Sequence, residues 1–230
     1  MRSKGFKSYI GFARSILYEK IGTGTPVEKE YTPSPEAYGV FGGGYDGSNK
    51  NIIDYVTIST PSNATDFGDL TVARRYLAAT SNGTNDRGIF GGGYSENYEN
   101  IIDYVTISSP GNATDFGDLT VARCESAATS NGTNDRGIFG GGYSGSYENT
   151  IDYVTISSPG NATDFGDLTV ARSWLAATSN GTNDRGIFGG GYDGSDKNII
   201  DYVTISNLGN ATDFGDLTVA RRCLTATSNA

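Results

Sequence analysis

The chain has 230 residues and a formal net charge of −9, and it contains 33 glycines, 15 tyrosines and no histidine. The acidic charge argues against nucleic acid as a partner, because a nucleic-acid-binding surface needs basic residues to neutralise phosphates. The lack of histidine excludes a Ser-His-Asp hydrolase and removes the commonest neutral metal ligand. No stretch approaches the roughly 18 consecutive apolar residues of a membrane-spanning helix, so no membrane span is predicted.

Residues 1–37 differ in composition from the rest of the chain. Five basic side chains and one acidic one give residues 1–20 a net charge of +4, which leaves −13 for the remainder. The apolar residues here form no secretory core, residues 3–20 could form a short amphipathic helix, and the prolines of residues 25–37 predict an extended linker. Two interpretations are open. The segment is a loosely ordered tail, or it is an anchor that docks the chain on a larger assembly through Phe6, Ile10, Phe12, Ile16 and Leu17.

The remainder of the chain is a repeat with a period of 49 residues. The recurring features are a glycine triplet that starts at Gly42, Gly91, Gly140 and Gly189, the string NATDFGDLTVAR at 63–74, 112–123, 161–172 and 210–221, and the string IDYVTIS at 53–59, 102–108, 151–157 and 200–206. A period near 50 residues is typical of propellers and solenoids. The periodicity therefore predicts the fold more strongly than it predicts the function.

Each repeat is predicted to contain four strands. In the last repeat they cover residues 173–180, 185–192, 199–206 and 211–218, separated by turn sequences such as Asn180-Gly181. The third strand, IIDYVTIS, is rich in β-branched and aromatic residues. Four antiparallel strands per repeat are the content of one propeller blade, so the sequence predicts an all-β fold.

The repeat resembles a kelch blade. The strings IFGGG, DYVTI and TDFGDL match the glycine-ended second strand, the tyrosine-bearing third strand and the aromatic-bearing fourth strand of that family, with phenylalanine where kelch blades usually carry tryptophan. The resemblance covers residues 38–229. It implies a kelch-like β-propeller of four four-stranded blades over residues 38–230, with residues 1–37 as a non-propeller extension.

The phase of the repeats predicts how the ring closes. The array starts at a second strand and ends after a first strand at about 223–229. We therefore expect the C-terminal strand to complete the first blade and close the ring, which hides the strand edges. A ring shared between chains, or a five-bladed ring that includes the N-terminal segment, is the alternative.

The strings FGGGY, GNATDFGDLT and VAR also resemble kelch-like repeats in tail-fibre and other virion proteins of bacteriophages. This resemblance implies a non-enzymatic structural or host-attachment protein located on the tail or capsid surface of a virion. Its expected partners are other virion proteins, bound through residues 1–37, a host-surface glycan or protein, and further copies of the chain within a particle. The alternatives are a purely structural decoration protein without a ligand and a cytoplasmic kelch-type scaffold for protein interactions.

The repeats differ from one another mainly after VAR and after FGGGY. Because the strands of a blade alternate in direction, these two loops lie on the same face, whereas the turns of the opposite face are nearly constant. A diversified face on a rigid scaffold is typical of a recognition surface, and aromatic and arginine side chains are its usual anchors. The alternative is neutral drift at exposed loop positions. The candidate ligand-binding residues are Arg75, Tyr76, Tyr98, Glu125, Tyr147, Trp174 and Arg222.

No catalytic residue, cofactor or metal ion is predicted. Asp54, Asp66 and Asp69 recur in every repeat, whereas a catalytic site needs one asymmetric arrangement. We expect their carboxylates to accept hydrogen bonds from turn backbone, with calcium binding as the alternative.

Two further patterns predict structural roles. The dipeptide Asp86-Arg87 recurs in the next two repeats, which suggests ion pairs within or between blades. Cys124 and Cys223 have no counterparts in the other repeats, and we interpret them as free thiols.

Overall fold

A computed structural model describes residues 16–19, 27–30 and 37–229. The chain divides into two compact units, Met1–Glu36 and Ala37–Ala230. Every regular element among the described residues is a β-strand, which confirms the predicted all-β class. No helix in this part of the chain is long and apolar enough to cross a lipid bilayer.

The N-terminal unit contains one antiparallel pair of strands, β1 (Ile16–Glu19) and β2 (Val27–Glu30). The helix predicted for residues 3–20 is therefore wrong at its C-terminal end, because the backbone of β1 pairs with β2 instead of with its own preceding turn. Of the predicted anchor residues, Ile16 and Leu17 lie in β1. The other three, Phe6, Ile10 and Phe12, lie outside the described residues.

The second unit is a series of antiparallel sheets. Its described strands are β3 (Tyr38–Gly42), β4 (Ile52–Thr57), β5 (Thr65–Asp69), β6 (Ala78–Thr80), β7 (Arg87–Gly91), β8 (Ile101–Thr106), β9 (Thr114–Asp118), β10 (Ala127–Thr129), β11 (Arg136–Gly140), β12 (Thr150–Thr155), β13 (Thr163–Asp167), β14 (Ala176–Ser179), β15 (Arg185–Gly189), β16 (Ile199–Thr204) and β17 (Thr212–Asp216). Sheet 1 has the order β3-β4-β5. Sheets 2, 3 and 4 have the orders β6-β7-β8-β9, β10-β11-β12-β13 and β14-β15-β16-β17.

The register of the strands is the same in each sheet. In sheet 2, Phe90 lies opposite Asp103 and Gly91 lies opposite Ile102, and a bulge follows Ile102 where β8 pairs with β9. The second strand ends at Gly91 because the next residues, Gly92 and Gly93, have φ of 66° and 113°. Only glycine adopts these values readily. The second strand is therefore shorter than the sequence predicted.

The apolar core lies between consecutive sheets. Phe116 of sheet 2 clusters with Phe139 and Val154 of sheet 3, and all three side chains are buried. Gly91 leaves room for the Phe139 ring, because a Cβ at this glycine would lie 2.7 Å from Cε1 of the ring. Burying a phenylalanine side chain stabilises a fold by about 1.5–3 kcal/mol. The packing between neighbouring sheets therefore contributes to the stability of each sheet.

A buried ion pair also joins each sheet to the next. Arg123 follows β9 of sheet 2, and its Nη1 lies 2.9 Å from Oδ2 of Asp152 in sheet 3, with both side chains fully buried. Nη2 of the same arginine donates to the carbonyl of Phe139 at 3.2 Å, and the Thr120 hydroxyl donates to Asp152. Equivalent pairs form between Arg74 and Asp103 and between Arg172 and Asp201.

The ion pairs predicted for the Asp86-Arg87 dipeptide were assigned to the wrong residues. Arg87 instead donates to the carbonyl of Ile156 at 2.7 Å, and its guanidinium lies over the Tyr104 ring. Asp86 accepts a hydrogen bond from the backbone of Ser108 at 2.9 Å. The arginine therefore reaches an adjacent sheet, while the aspartate holds a turn of its own sheet.

The two ends of the array differ from its interior. Among the described residues, sheet 1 has no strand beside β3 on the side away from β4, and residues 223–229 form no strand. Phe41 is 61% exposed, whereas its counterpart Phe90 is 3% exposed, and Phe214 is 50% exposed. The structure thus has repeated four-stranded sheets consistent with a β-propeller. It does not show the closure predicted for the C-terminal strand.

Candidate ligand-binding surface

The two kinds of variable loop meet at Arg75. Its Nη1 donates to Oδ1 of Asn49 at 2.9 Å, and its backbone exchanges hydrogen bonds of 3.1 and 2.8 Å with Tyr94. Asn49 lies in the loop after β3, and Arg75 lies in the loop before β6. The variable loops after VAR and after FGGGY are therefore on one side of the array.

Aromatic rings from successive repeats form a continuous row on that side. The ring of Tyr98 lies 5.6 Å from Tyr94 and 5.8 Å from Tyr143, measured between centroids. The ring of Tyr147 lies 5.4 Å from Tyr143 and 5.9 Å from Tyr192. All four contacts are edge-to-face, as the quadrupoles of aromatic rings favour. We define the aromatic strip as Tyr45, Arg75, Tyr94, Tyr98, Tyr143, Tyr147, Trp174, Tyr192 and Arg222.

An arginine lies near each end of the aromatic strip. The guanidinium of Arg75 is 4.6 Å from the Tyr45 ring centroid. The guanidinium of Arg222 is 4.1 Å from the Tyr192 ring and 5.1 Å from the Trp174 ring. These distances are within the roughly 6 Å range of cation–π attraction. The strip therefore has an aromatic centre with an arginine near each end, and Nε of Arg222 also lies 3.7 Å from Oδ1 of Asp196.

A backbone ladder runs beside the aromatic strip. Tyr76, Glu125 and Trp174 occupy equivalent positions with φ of 59°, 60° and 52°. The N–H of Glu125 donates to the Tyr76 carbonyl at 2.9 Å, and the N–H of Trp174 donates to the Glu125 carbonyl at 3.0 Å. Positive φ in a residue other than glycine costs about 1–3 kcal/mol, so the surrounding contacts must hold these residues in place. The ladder aligns one variable residue from each of three repeats.

Burial affects the acidic groups of this surface. Desolvation, with neighbouring tyrosines adding to it, raises the pKa of Tyr98 and of Tyr147 above the usual 10.0. Burial also raises the pKa of Glu125, opposed by its hydrogen bonds to Ser173 and Trp174. Tyrosine hydroxyls are protonated near neutral pH, and those of Tyr98 and Tyr147 can each donate and accept a hydrogen bond.

Five of the seven predicted ligand-binding residues belong to the aromatic strip, and Tyr76 and Glu125 belong to the ladder beside it. The sequence reasoning missed the tyrosine that ends each FGGGY string, at positions 45, 94, 143 and 192. The candidate residues were those that differ between repeats, and this tyrosine is the same in all four repeats. The available signal was its place directly before each variable loop.

In the interior repeats, two of the three recurring aspartates have side-chain partners. Oδ1 of Asp115 accepts a hydrogen bond from the backbone N–H of Gly117 at 3.1 Å, as predicted for these turns. Asp103, the counterpart of Asp54, pairs with Arg74. Among the described residues there is no group of three or more histidine, cysteine, aspartate or glutamate side chains that could hold a metal ion. That the chain has no catalytic role or cofactor stays a prediction.

No protein-family model matches the chain, and no curated protein sequence matches it.

We expect the Cys124 thiol to resist alkylation in the folded protein. It is buried, and desolvation raises its pKa from 9.0 to about 12, so its thiolate fraction at pH 8 is about 10⁻⁴. Cys223 is exposed. Iodoacetamide at pH 8, followed by peptide mass spectrometry, should modify Cys223 alone, and both thiols after unfolding in guanidinium. Equal modification of both thiols in the folded protein would contradict this expectation.

The same pKa shift predicts a loss of stability in alkali. The fold favours the protonated thiol of Cys124, whose pKa is raised to about 12. Its contribution is therefore fully present below pH 9 and is lost as the pH rises towards 12.

Proposed function

We propose that the chain is a non-enzymatic structural and attachment protein of a bacteriophage virion, a kelch-like propeller that presents the aromatic strip to a host-surface glycan. The observation that carries the proposal is the row of ring contacts from Tyr94 to Tyr192, flanked by Arg75 and Arg222. The resemblance of the repeats to those of phage tail-fibre proteins supports the virion setting.

The chemistry of the aromatic strip suits an oligosaccharide. The C–H faces of pyranose rings pack on aromatic rings, and tyrosine hydroxyls donate and accept hydrogen bonds to sugar hydroxyls. The guanidinium groups of Arg75 and Arg222 contact Asn49 and Asp196 and keep further N–H donors. These donors favour sugars with carboxylate or phosphate substituents, because arginine binds both groups through paired hydrogen bonds. An extended row of rings fits several sugar units in succession better than it fits a single one.

In this proposal residues 1–37 attach the chain to another virion protein, and the aromatic strip faces the host. Two alternatives predict other behaviour. A decoration protein would bind a purified virion component and no glycan. A cytoplasmic kelch-type scaffold would bind a protein through the same face.

Binding of the full chain to a glycan panel and to bacterial cells tests the proposal. The variant Tyr98→Ala/Tyr147→Ala/Trp174→Ala should lose at least ~100-fold in affinity, because central aromatic side chains dominate binding free energy. The matched control is Thr84→Ala/Thr133→Ala/Thr182→Ala. It changes exposed residues in the turns between the first and second strands, on the opposite face, and should bind like the parent.

Two results would overturn the proposed function. If the parent binds no glycan and no cell, the chain is a structural component without this ligand. If the strip variant binds as tightly as the parent, the glycan is recognised by another surface. Circular dichroism of both variants establishes that a loss of binding is not a loss of fold.

A further inference from the structure

Each end of the array has one of the two residues that form an ion pair between interior sheets. Arg123 and Asp152 form the buried pair between sheets 2 and 3. Arg221 occupies the same arginine position after sheet 4, where it is exposed and forms no ion pair with another described residue. Asp54 occupies the aspartate position in sheet 1, where it is half-buried and likewise unpaired among the described residues. Each end therefore carries one half of the interaction that joins neighbouring sheets.

The contact between a glycine of one sheet and a phenylalanine ring of the next sheet also has one of its two residues at each end of the array. A Cβ at Gly140 would lie 2.7 Å from the ring of Phe188 in the next sheet. At the equivalent Gly189, Cγ1 of Ile200 at 3.8 Å is the only atom of the described residues that lies within 4 Å of such a Cβ. The Phe41 ring, which has the position of Phe188 in sheet 1, is 61% exposed. The last sheet thus has room for a ring, and the first sheet has a ring that lacks this contact.

A hydrogen bond from an arginine of one sheet to an isoleucine carbonyl of the next sheet also has one of its two residues at each end. Arg136 donates to the carbonyl of Ile205 in the next sheet at 2.6 Å, and the Ile205 side chain is fully buried. The equivalent arginine of sheet 4 is Arg185, which is exposed. The equivalent isoleucine of sheet 1 is Ile58, which is 66% exposed.

One end has a segment in the position of a first strand, and the other end has a sheet that begins at its second strand. At the C-terminal end, the N–H of Cys223 donates to the Trp174 carbonyl at 3.0 Å, and the Ser228 hydroxyl donates to the Ser179 carbonyl. Residues 223–228 therefore lie beside β14, in the place of a first strand for a further sheet. At the other end, β3 is the second strand of a sheet in which no described residues form a first strand. By the register of β6 with β7, residues 225–227 would pair with residues 40–42.

We propose that the last sheet of one copy of this chain binds the first sheet of a second copy, head to tail. The contact would place Arg221 against Asp54, Phe41 against Gly189, and residues 225–227 beside β3. It continues the interface that already joins sheets 1 to 4 inside the chain. The occupant of each end is a second copy, because the exposed fractions of Phe41 and Phe214 show that the two ends of one copy do not meet.

The repeat itself makes this pairing specific. The two end faces are different surfaces, so the contact is heterologous and each copy can use both of its ends. A strand edge with no neighbouring strand among the described residues, such as residues 40–42, pairs readily with another chain, and the added strand gains main-chain hydrogen bonds. Copies joined in this way form a closed ring or an open series, and both exceed the mass of one chain. The inference does not depend on the proposed function.

Light scattering coupled to gel filtration tests the proposal with two full-length variants. Phe41→Glu disables the first sheet and leaves the last sheet intact, whereas Arg221→Glu does the reverse. Both residues are exposed in the single copy, so we expect both variants to fold. The parent should exceed the mass of one chain, 24.2 kDa, and each variant alone should have that mass. An equimolar mixture of the two variants should form a one-to-one heterodimer through its one pair of intact ends.

Two results would overturn the proposal that copies associate head to tail. A parent that has the mass of one chain at every concentration would overturn it, and would mean that the ring closes within one copy or that residues 1–36 cover an end. A parent dimer that survives both substitutions would also overturn it, because association would then use another surface. Leu208→Glu is the control, since it places a charge on an exposed apolar residue outside both end faces and should leave the parent mass unchanged.

Discussion

Replacing Arg123 with alanine is expected to lower the free energy of unfolding by about 3–5 kcal/mol. The change removes the guanidinium that lies 2.9 Å from Asp152 and leaves that carboxylate fully buried without its counter-charge. Breaking a buried pair on one side is costly because the remaining charge has lost both its partner and its water. Urea unfolding followed by circular dichroism measures the loss. We would make the change in the Phe41→Glu background, in which association through the first sheet is blocked.

The chain provides a matched control for this substitution. Arg221→Ala removes the same residue from the same position of the last repeat, where the side chain is exposed. Its effect in the same background should be within about 0.5 kcal/mol, as for most surface substitutions. Similar losses for the two variants would mean that the interior pair contributes no more than an exposed arginine, which contradicts the role assigned to it.

Replacing Gly117 with alanine is expected to destabilise the chain by about 2–5 kcal/mol. This glycine has φ of +141°, and a Cβ on it would lie 2.5 Å from both C and O of Gly160 in the next sheet. Backbone atoms cannot move aside as the end of a flexible side chain can, so the two sheets would have to separate. The free energy of unfolding in urea again provides the measurement.

Gly215→Ala separates the contact from the backbone strain. Gly215 has nearly the same φ, +135°, but in the part of the chain that the structure describes no atom lies within 4 Å of its Cβ position. Both substitutions therefore strain the backbone, and only the one at Gly117 meets a neighbouring sheet. We expect Gly117→Ala to lose about 1–3 kcal/mol more than Gly215→Ala in the Phe41→Glu background. Equal losses would show that the close approach of the sheets is not a constraint.

The local structure could be predicted from the sequence because its causes are local. The β-branched run at 199–206 contains the observed strand Ile199–Thr204. The second strand was predicted to end at residue 192 and ends at Gly189, because Gly190 and Gly191 have φ of 66° and 115°. A glycine triplet indicates backbone conformational freedom at these positions, but it does not show which of the three glycines leaves the extended conformation and ends the strand.

Contacts between sheets could not be predicted, since they depend on how the sheets stack. The sequence contains two recurring Asp–Arg combinations, and the adjacent one, Asp86-Arg87, suggested an ion pair. The pair that forms joins Arg74 to Asp103, 29 positions later, because stacking places the end of one repeat against the third strand of the next. Ring closure could not be predicted from the sequence for the same reason. It depends on the angle between neighbouring sheets, which no short string in the sequence determines.

The variable positions led to part of the aromatic strip. Tyr98 and Tyr147 stand out because the first and last repeats have Asn49 and Asp196 in their place. The unchanging tyrosines between them became visible only when the ring distances were known. A binding surface assembled from both kinds of position is therefore only half predictable from differences among repeats.

Tryptophan fluorescence gives the most direct test of the aromatic strip as a ligand-binding surface. Trp174 is the only tryptophan of the chain, and it lies 6.2 Å from Tyr192 within the strip. We predict that the best ligand from the glycan panel changes its emission in a saturable way, that Tyr147→Ala weakens this response, and that Thr133→Ala does not. An emission spectrum unchanged by a glycan that demonstrably binds the chain would place the ligand elsewhere and contradict the assignment.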